Sequence, residues 1–201
     1  MFSTEQLAAL VVATSFAAGL NIYATVAALG LLARAGFIAL PPSLELLSGW
    51  YVIGAALGLY LLEFVLDKIP VIDLVWNALQ TFVRVPAAAL LAYAATMPLS
   101  PTEQVVATTA ASLIALASHS AKTAARVAVT PSPEPFSNIV LSLGEDALAV
   151  FLTWLATNHP VWAIGTVIVL VALIVLFIRA VIRELKYVGR VLRTRLTARQ
   201  A

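Results

Sequence analysis

The sequence predicts an all-α, polytopic membrane protein with about six transmembrane helices. Of its 201 residues, 62% are hydrophobic and 11% are charged, whereas soluble domains are ~45–50% apolar and ~25% charged. The mean hydropathy is +0.99. The apolar segments are long and continuous, unlike the alternating ~10-residue strands of a membrane β-barrel. We therefore expect a bundle of membrane-spanning helices.

Breaks that contain proline or glycine divide the chain into candidate spans. A spanning helix needs about 20 mostly apolar residues at ~1.5 Å per residue. The expected spans cover residues 6–34, 50–67, 71–97, 103–126, 138–157 and 160–182. We expect the transmembrane bundle to occupy residues 1–182, and residues 183–201 to form a basic amphipathic cytoplasmic tail.

The third span is divided by Pro86. Residues 85–97 alone would extend only ~20 Å, which is too short for a hydrocarbon core of ~30 Å. Proline is compatible either with a kink or with the first position of a new helix. The sequence therefore leaves two arrangements open. Residues 71–97 form one kinked span, or residues 71–84 form the half-helix of a re-entrant hairpin.

The distribution of basic residues predicts the orientation of the bundle. Cytoplasmic segments of membrane proteins carry an excess of Lys and Arg. With six spans and the C-terminal tail in the cytoplasm, all twelve Lys and Arg residues except Arg34 fall on or toward the cytoplasmic side. We therefore expect both termini to lie in the cytoplasm.

The segment from Glu63 to Arg84 concentrates charge in an otherwise apolar chain. From Asp73 onward, its polar residues recur every three or four positions, which places them on one face of a helix. Charge that faces hydrocarbon is costly, so this face must contact protein or water. The candidate site residues of the segment are Glu63, Asp67, Lys68, Asp73, Asn77, Gln80 and Arg84.

Shorter polar stripes occur in three other spans. They consist of Asn21 in the first span, His119, Lys122 and Arg126 in the fourth, and Glu145 and Asp146 in the fifth. Each stripe also has a purely structural interpretation. Asn21 would seal helix packing through an interhelical hydrogen bond, Arg126 would extend to the interface, and the two carboxylates would form buried salt bridges.

Together the stripes predict a polar cavity in the cytoplasmic half of the bundle, lined by the second to fifth spans. Each stripe needs a polar face at a similar depth, and neighbouring helices supply one another's partners. We expect Asp73, Arg84, Lys122 and Glu145 to converge in one cluster, with Arg84 and Glu145 as a pair. Such a cluster fits a structural lock, a proton or cation relay, or a vestibule for a zwitterionic or anionic solute.

The C-terminal tail has a basic face and an apolar face. The basic residues recur every three or four positions, as expected for an amphipathic helix that lies on a membrane surface. We expect the tail to bind anionic lipid headgroups through Arg183, Lys186, Arg190 and Arg193, at ~1 kcal/mol per basic residue. The alternative is a solvated anchor that only sets the topology.

The sequence lacks the motifs of several enzyme and binding classes. It has no cysteine, and no Gly-x-Ser-x-Gly, His-Glu-x-x-His or phosphate-loop motif. Its two histidines are expected at opposite ends of the bundle, which disfavours a shared metal site. No nucleic-acid recognition motif accompanies the basic tail. We therefore expect no enzyme activity, no cofactor or metal, and no nucleic-acid partner.

Four motifs resemble a known family. They are Gly-Leu-Asn-x-Tyr at Gly19–Tyr23, Glu-Phe-x-x-Asp-Lys-x-Pro-x-x-Asp-x-x-Trp-Asn at Glu63–Asn77, His-x-x-Lys-x-x-x-Arg at His119–Arg126, and Glu145–Asp146. The chain resembles the domain-of-unknown-function family numbered 4126, which consists of small bacterial inner-membrane proteins, over roughly residues 7–180. The resemblance implies several helices in a bacterial inner membrane and no established activity. It assigns no residue a role, and it does not cover the tail.

The expected function is transport or conduction of a small solute or ion. The main alternative is a non-transporting scaffold or accessory subunit whose charged cluster is a structural lock. A third interpretation is a lipid flippase or scramblase. A hydrated cavity among the charges would favour transport, dry ion pairs the lock, and a lateral opening between helices the lipid interpretation. Besides the bilayer, the expected partners are an unknown small solute or ion and a second copy of the chain, in a homo-oligomer.

Overall fold

The protein is all-helical throughout the part of the chain that the computed structural model describes, which is residues 2–129 and 135–197. Side chains are described except at 70, 71, 74, 127–129, 135–138, 181, 182 and 184–197. The α-helices are α1 (Thr4–Arg34), α2 (Trp50–Leu66), α3 (Pro70–Ala95), α4 (Pro101–Val129), α5 (Pro135–Asn158) and α6 (Pro160–Thr197). A 3₁₀ helix, Pro42–Ser48, precedes α2. The prediction of an all-α protein is confirmed.

Proline marks where several helices begin. Pro70, Pro101, Pro135 and Pro160 are the first residues of α3, α4, α5 and α6. The first turn of a helix tolerates proline because its N–H groups have no partner within the helix. Helix α1 does not begin with proline, and its N-terminus is capped by a capping box between Ser3 and Gln6.

Four described segments are each long and apolar enough to cross a membrane. They are Thr4–Arg34, Val75–Ala95, Ile139–Asn158 and Pro160–Ala180. The 3₁₀ helix and α2 meet at 64° and together form a fifth such unit. Helix α4 does not reach this apolarity, and it carries the basic stripe from His119 to Arg126. The protein is therefore a multi-pass helical membrane protein, as predicted.

Helix α3 runs without a break from Pro70 to Ala95, with Pro86 inside it. The sequence had left open a half-helix over residues 71–84, followed by a re-entrant turn. The structure has a single helix instead. Consequently the polar face from Asp73 to Arg84 lies along one continuous element, over ~16 Å at 1.5 Å per residue.

Helix α1 is the centre of the bundle. Most of its apolar window, 83%, is buried, compared with 11% for α6, and the other five α-helices all pack against it. Small side chains allow these close approaches. At Gly19 the approach is closest, because an added Cβ would meet Ser118 Oγ and the backbone of Ala115 on α4.

The central helix is broken near its midpoint. Asn21 has extended backbone angles, φ −154° and ψ 103°, about 25 Å along the helix from Thr4. Its side-chain Oδ1 accepts a hydrogen bond from the Ala24 N–H at 2.9 Å, as an N-cap residue does at the start of a helix. Helix α1 therefore consists of two half-helices that meet at Asn21.

Candidate functional site

A buried charge network lies beside the break in α1. We define it as Glu63, Asp67, Asp73, Arg84, Lys122, Arg126 and Glu145. These seven side chains come from α2, α3, α4 and α5 and from the turn after α2. Six of them are at most 2% exposed as whole residues, and the Glu145 side chain is 11% exposed. The network is an interior feature of the bundle.

Lys122 lies at the centre of the network and joins Glu63 to Asp67 and Glu145. Its Nζ lies 3.1 Å from Glu63 Oε1, 3.6 Å from Asp67 Oδ2 and 3.3 Å from Glu145 Oε2. It also donates a hydrogen bond to the Leu20 carbonyl at 3.0 Å. One ammonium group therefore contacts α1, α2, α5 and the turn that follows α2.

Arg126 holds the end of the network nearest the turn between α2 and α3. Its Nη2 lies 3.0 Å from Asp67 Oδ2 and 3.0 Å from Glu145 Oε2. Its Nη1 lies 3.6 Å from Asp73 Oδ2 and donates to the Asp67 carbonyl at 3.2 Å. Arg126 is fully buried. The alternative interpretation of the sequence, in which Arg126 extends to the membrane surface, is therefore wrong.

Arg84 holds the other end, at the break in α1. It pairs with Glu63 and donates to the Gly19 carbonyl at 3.1 Å. It also lies 3.1 Å from His119 Nδ1. Because a guanidinium can only donate, this Nδ1 is an acceptor, and the His119 proton is on Nε2. That nitrogen then donates to Thr81 Oγ1 at 2.8 Å.

The expected pairing of Arg84 with Glu145 is wrong. Arg84 pairs with Glu63, whereas Glu145 pairs with Lys122 and Arg126. The physical reason lies in the break. Arg84 is drawn to the level of the Gly19 carbonyl, where α2 presents Glu63. The four residues expected to converge do lie in one network, but they are joined through intermediates.

The break exposes backbone carbonyls that the network uses. A helix end leaves its last C=O groups without partners in the helix, and these carry partial negative charge. Here the carbonyls of Gly19 and Leu20 accept from Arg84 and Lys122. These backbone ligands were not predicted from the sequence. The one signal for them was Asn21, a good cap residue in the middle of an apolar span.

A second polar group adjoins the network at the break. Asp146 Oδ1 accepts from Asn21 Nδ2 at 2.9 Å, and Asp146 Oδ2 accepts from the Tyr60 hydroxyl at 3.0 Å. Asp146 is 8% exposed, and within the described residues neither Arg84 nor Lys122 forms an ion pair with it. Tyr60 was not a predicted site residue, although it lies one helical turn before Glu63.

Of the remaining predicted site residues, Asn77 contacts the network, whereas Gln80 and Lys68 bond elsewhere. Asn77 supports the network, because its Nδ2 donates to Asp73 Oδ1 at 2.6 Å. Gln80 instead donates to the Tyr23 hydroxyl at 3.0 Å. Lys68 is turned away, with its Nζ on the Phe64 carbonyl and 2.9 Å from the centre of that ring. The structure therefore does not bring Lys68 into the site.

In the C-terminal tail, the structure describes only the first of the predicted lipid-binding side chains. Arg183 is exposed. The side chains of Lys186, Arg190 and Arg193 lie outside the described residues. Binding of the tail to anionic headgroups stays a prediction.

The network and its neighbour contain more acid than base. Five carboxylates (Glu63, Asp67, Asp73, Glu145 and Asp146) accompany three cations (Arg84, Lys122 and Arg126), so full ionisation leaves an excess of two negative charges. Within the part of the chain that the structure describes, several buried acceptors also have no hydrogen-bond donor: Glu63 Oε2, Asp67 Oδ1, Asp73 Oδ2, Asn77 Oδ1 and Gln80 Oε1. Among the described residues no group of three or more acids or histidines is placed to hold a metal ion.

An apolar cavity begins where the network ends. It has a volume of about 770 Å³ and is lined by α1, α2 and α5. Asp146 and Tyr60 form its polar end, and Leu32 and Trp154 lie among its apolar walls. Along α5, Asp146 and Trp154 are eight residues apart, or ~12 Å. The charges and the cavity thus meet at Asn21, on opposite sides of the break.

The fold and the site define a multi-pass helical membrane protein with a broken central helix and a cluster of buried ionisable side chains. A family model matches residues 8–180, and it is described as a domain of unknown function, DUF4126. The chain belongs to this family, which confirms the resemblance seen in its motifs. No curated protein and no solved structure matches the chain.

Proposed function

We propose that the protein transports a small solute or ion across a bacterial inner membrane, with protons moving through the charge network. One observation carries the proposal: the central helix is broken at Asn21, and buried cations bind the carbonyls that the break exposes. Broken helices at mid-membrane are a recurring way to build a substrate or ion site in transporters. The proposal assigns the protein no catalytic reaction.

The excess of carboxylates supports protons as the moving or coupling ion. Two uncompensated negative charges in a buried site are very unfavourable. Protonation of a carboxylate removes its charge without the set of ligands that a metal ion needs. The resulting O–H group can also donate a hydrogen bond to a neighbouring buried carboxylate oxygen. Glu63 Oε2 and Asp67 Oδ1 are two such oxygens without a donor. Chains of ionisable groups within a membrane are typical of proton relays.

The orientation follows from the same elements. The turn between α2 and α3, the C-terminal part of α4 and the N-terminus of α1 lie on one side of the bundle. This side carries Lys68 and Arg126, and the other side carries Arg34, which stacks on Trp50. By the positive-inside bias we propose that the side with Lys68 is cytoplasmic. The network then occupies the cytoplasmic half.

A second candidate function is a scaffold or accessory subunit, with the network as a structural lock. The closure of the ion pairs favours it. Lys122 contacts three carboxylates and a backbone carbonyl at once. These contacts tie α4 to α1, α2 and α5, and so they fix the positions of four helices. Proton flux separates the two functions, because a permanent lock conducts nothing.

The test is proton flux in liposomes that contain the full-length protein and an internal pH-sensitive dye. A potassium diffusion potential, inside negative, drives protons inward. We expect faster acidification than in empty liposomes. Glu63→Gln and Asp73→Asn should each abolish the difference, because each removes one carboxylate of the network. Two variants are used so that a folding defect in one leaves the test intact.

The matched control is Glu103→Gln, the same exchange of an acid for an amide. Glu103 is exposed and bonds only to the neighbouring Ser100, so this variant should retain wild-type flux. Circular dichroism and elution as a single species verify that each variant is folded. If folded wild-type protein conducts no more than empty liposomes, transport of protons is contradicted and the lock is the better function.

A further inference from the structure

The cavity between α1, α2 and α5 combines an apolar body with a buried acid. Its walls include Leu31, Leu57, Val150 and Phe151, which are 37–47% exposed. In a membrane, such exposed apolar side chains face lipid tails. The cavity therefore opens sideways, toward the hydrocarbon of the bilayer.

The polar end of the cavity is formed by a buried acid, Asp146, and the Tyr60 hydroxyl. Asp146 is buried and accepts two hydrogen bonds, from Asn21 and Tyr60. Both donors are neutral, and within the described residues neither Arg84 nor Lys122 lies within ion-pair distance of this carboxylate. Two further lone-pair sites stay open on such a carboxylate.

We propose that this cavity binds an amphipathic ammonium compound, with its cationic head at Asp146 and Tyr60 and its alkyl chain along α5 toward Trp154. Three aromatic residues line the path: Tyr60, Phe151 and Trp154. Aromatic faces attract ammonium groups and also pack against alkyl chains. A volume of about 770 Å³ is within the range of drug-sized sites, ~300–1,000 Å³.

This site goes beyond the proposed transport function. A bound ammonium compound would fill the cavity even in a protein that moves nothing, and proton flux does not require an occupant there. Failure of the binding test therefore leaves the transport proposal standing, and failure of the flux test leaves the site standing. The two readouts, quenching and flux, are measured separately.

The test uses Trp154 as a reporter in full-length protein embedded in nanodiscs of neutral lipid. Alkylammonium with a bromine at the chain end is compared with the bromoalkyl alcohol of equal length. Bromine quenches indole fluorescence on contact, and a Trp154→Phe variant gives the background of the other tryptophans. We expect the ammonium probe to quench Trp154 at about tenfold lower membrane concentration than the alcohol, which is about 1.4 kcal/mol, because only the ammonium head forms a charge-assisted contact with Asp146.

Two variants identify the residues responsible. Asp146→Asn should remove the preference for ammonium while leaving quenching by the alcohol. Ala147→Phe should reduce quenching by both probes, because Ala147 lines the cavity and the ring would occupy it. Glu103→Gln should behave as the wild type. Comparison with Asp146→Asn also cancels any difference in how the two probes enter the lipid.

Two outcomes would overturn the proposal. Equal quenching by both probes would show that the cavity accepts any alkyl chain, such as the acyl chain of an ordinary lipid, whatever its head group. An ammonium preference that persists in folded Asp146→Asn would place the cationic head elsewhere. Thermal unfolding of each variant, measured in the same nanodiscs, distinguishes loss of binding from loss of fold.

Discussion

Arg84 shows how a single charged residue is accommodated at the centre of a membrane protein. Its guanidinium pairs with Glu63 and also contacts the Gly19 carbonyl and His119 Nδ1. Removal of one partner of a buried ion pair destabilises a protein more than replacement of both partners by apolar residues, because the remaining partner is then an uncompensated charge. At this scale the stability of the bundle depends on completeness of the network.

Arg84→Gln should therefore strongly destabilise the protein. We expect a loss of about 3–5 kcal/mol in the free energy of unfolding, because Glu63 loses one of its two cations in a buried site. The measurement is denaturant unfolding in detergent. The matched control is Arg34→Gln, whose arginine is exposed and bonds to the Ser48 carbonyl; it should lose less than about 1 kcal/mol. Similar losses in both variants would show that Arg84 is not part of a dry network.

At the scale of elements, the break in α1 and the contact between α1 and α4 position the site. Asn21 ends one half-helix and caps the next. Two residues earlier, Gly19 lets α4 approach closely enough for Lys122 to reach the Leu20 carbonyl. A small residue and a cap residue thus set the geometry of the ion pairs.

Gly19→Ala should disturb this approach. The added Cβ would overlap Ser118 Oγ and the Ala115 backbone, and such overpacking typically costs about 1–3 kcal/mol. The control is Gly58→Ala on α2, where an added Cβ meets none of the described residues within 4 Å. That variant should be neutral or up to about 1 kcal/mol more stable, because alanine favours helix. Thermal unfolding measures both. Equal behaviour would mean that α1 and α4 do not pack at Gly19.

Much of this architecture is predictable from local signals. Prolines mark the starts of helices, and the spacing from Asp73 to Arg84 identifies a buried face. The break at Asn21 is not predictable in this way, because its neighbours form helices readily. It is stabilised by Arg84, Lys122 and Asp146, which are distant in sequence. The choice of Glu63 as the partner of Arg84 depends on the same long-range geometry. For Tyr60, spacing alone cannot distinguish a site residue from one that faces lipid.

At the scale of the whole molecule, the site divides the bundle into two halves. The charge network extends from the turn between α2 and α3 to the break, and the apolar cavity continues from the break along α5. Helices α1 and α5 run in the same direction. Two contacts show this: Asn21 donates to Asp146, and further along both segments Asn158 donates to the carbonyl of Phe37, which follows α1. Transport requires that the break be reached from each side in turn.

The most direct test of this account is the accessibility of the break to water from the two sides of the membrane. The chain has no cysteine, so single cysteines can be introduced without background. Thr25 and Thr14 form a matched pair. Both are buried in α1 and donate to the carbonyl four residues earlier, but only Thr25 bonds to the Asn21 carbonyl at the break. Phe37→Cys, exposed beyond α1, reports the sidedness of the vesicles.

Each variant is reacted with a membrane-impermeant thiol reagent in right-side-out and inverted vesicles. We expect Thr25→Cys to be labelled in both preparations, Thr14→Cys in neither, and Phe37→Cys only from the periplasmic side. If Thr25→Cys is as unreactive as Thr14→Cys in both preparations, the break is permanently closed. The network would then be a structural lock, which contradicts transport.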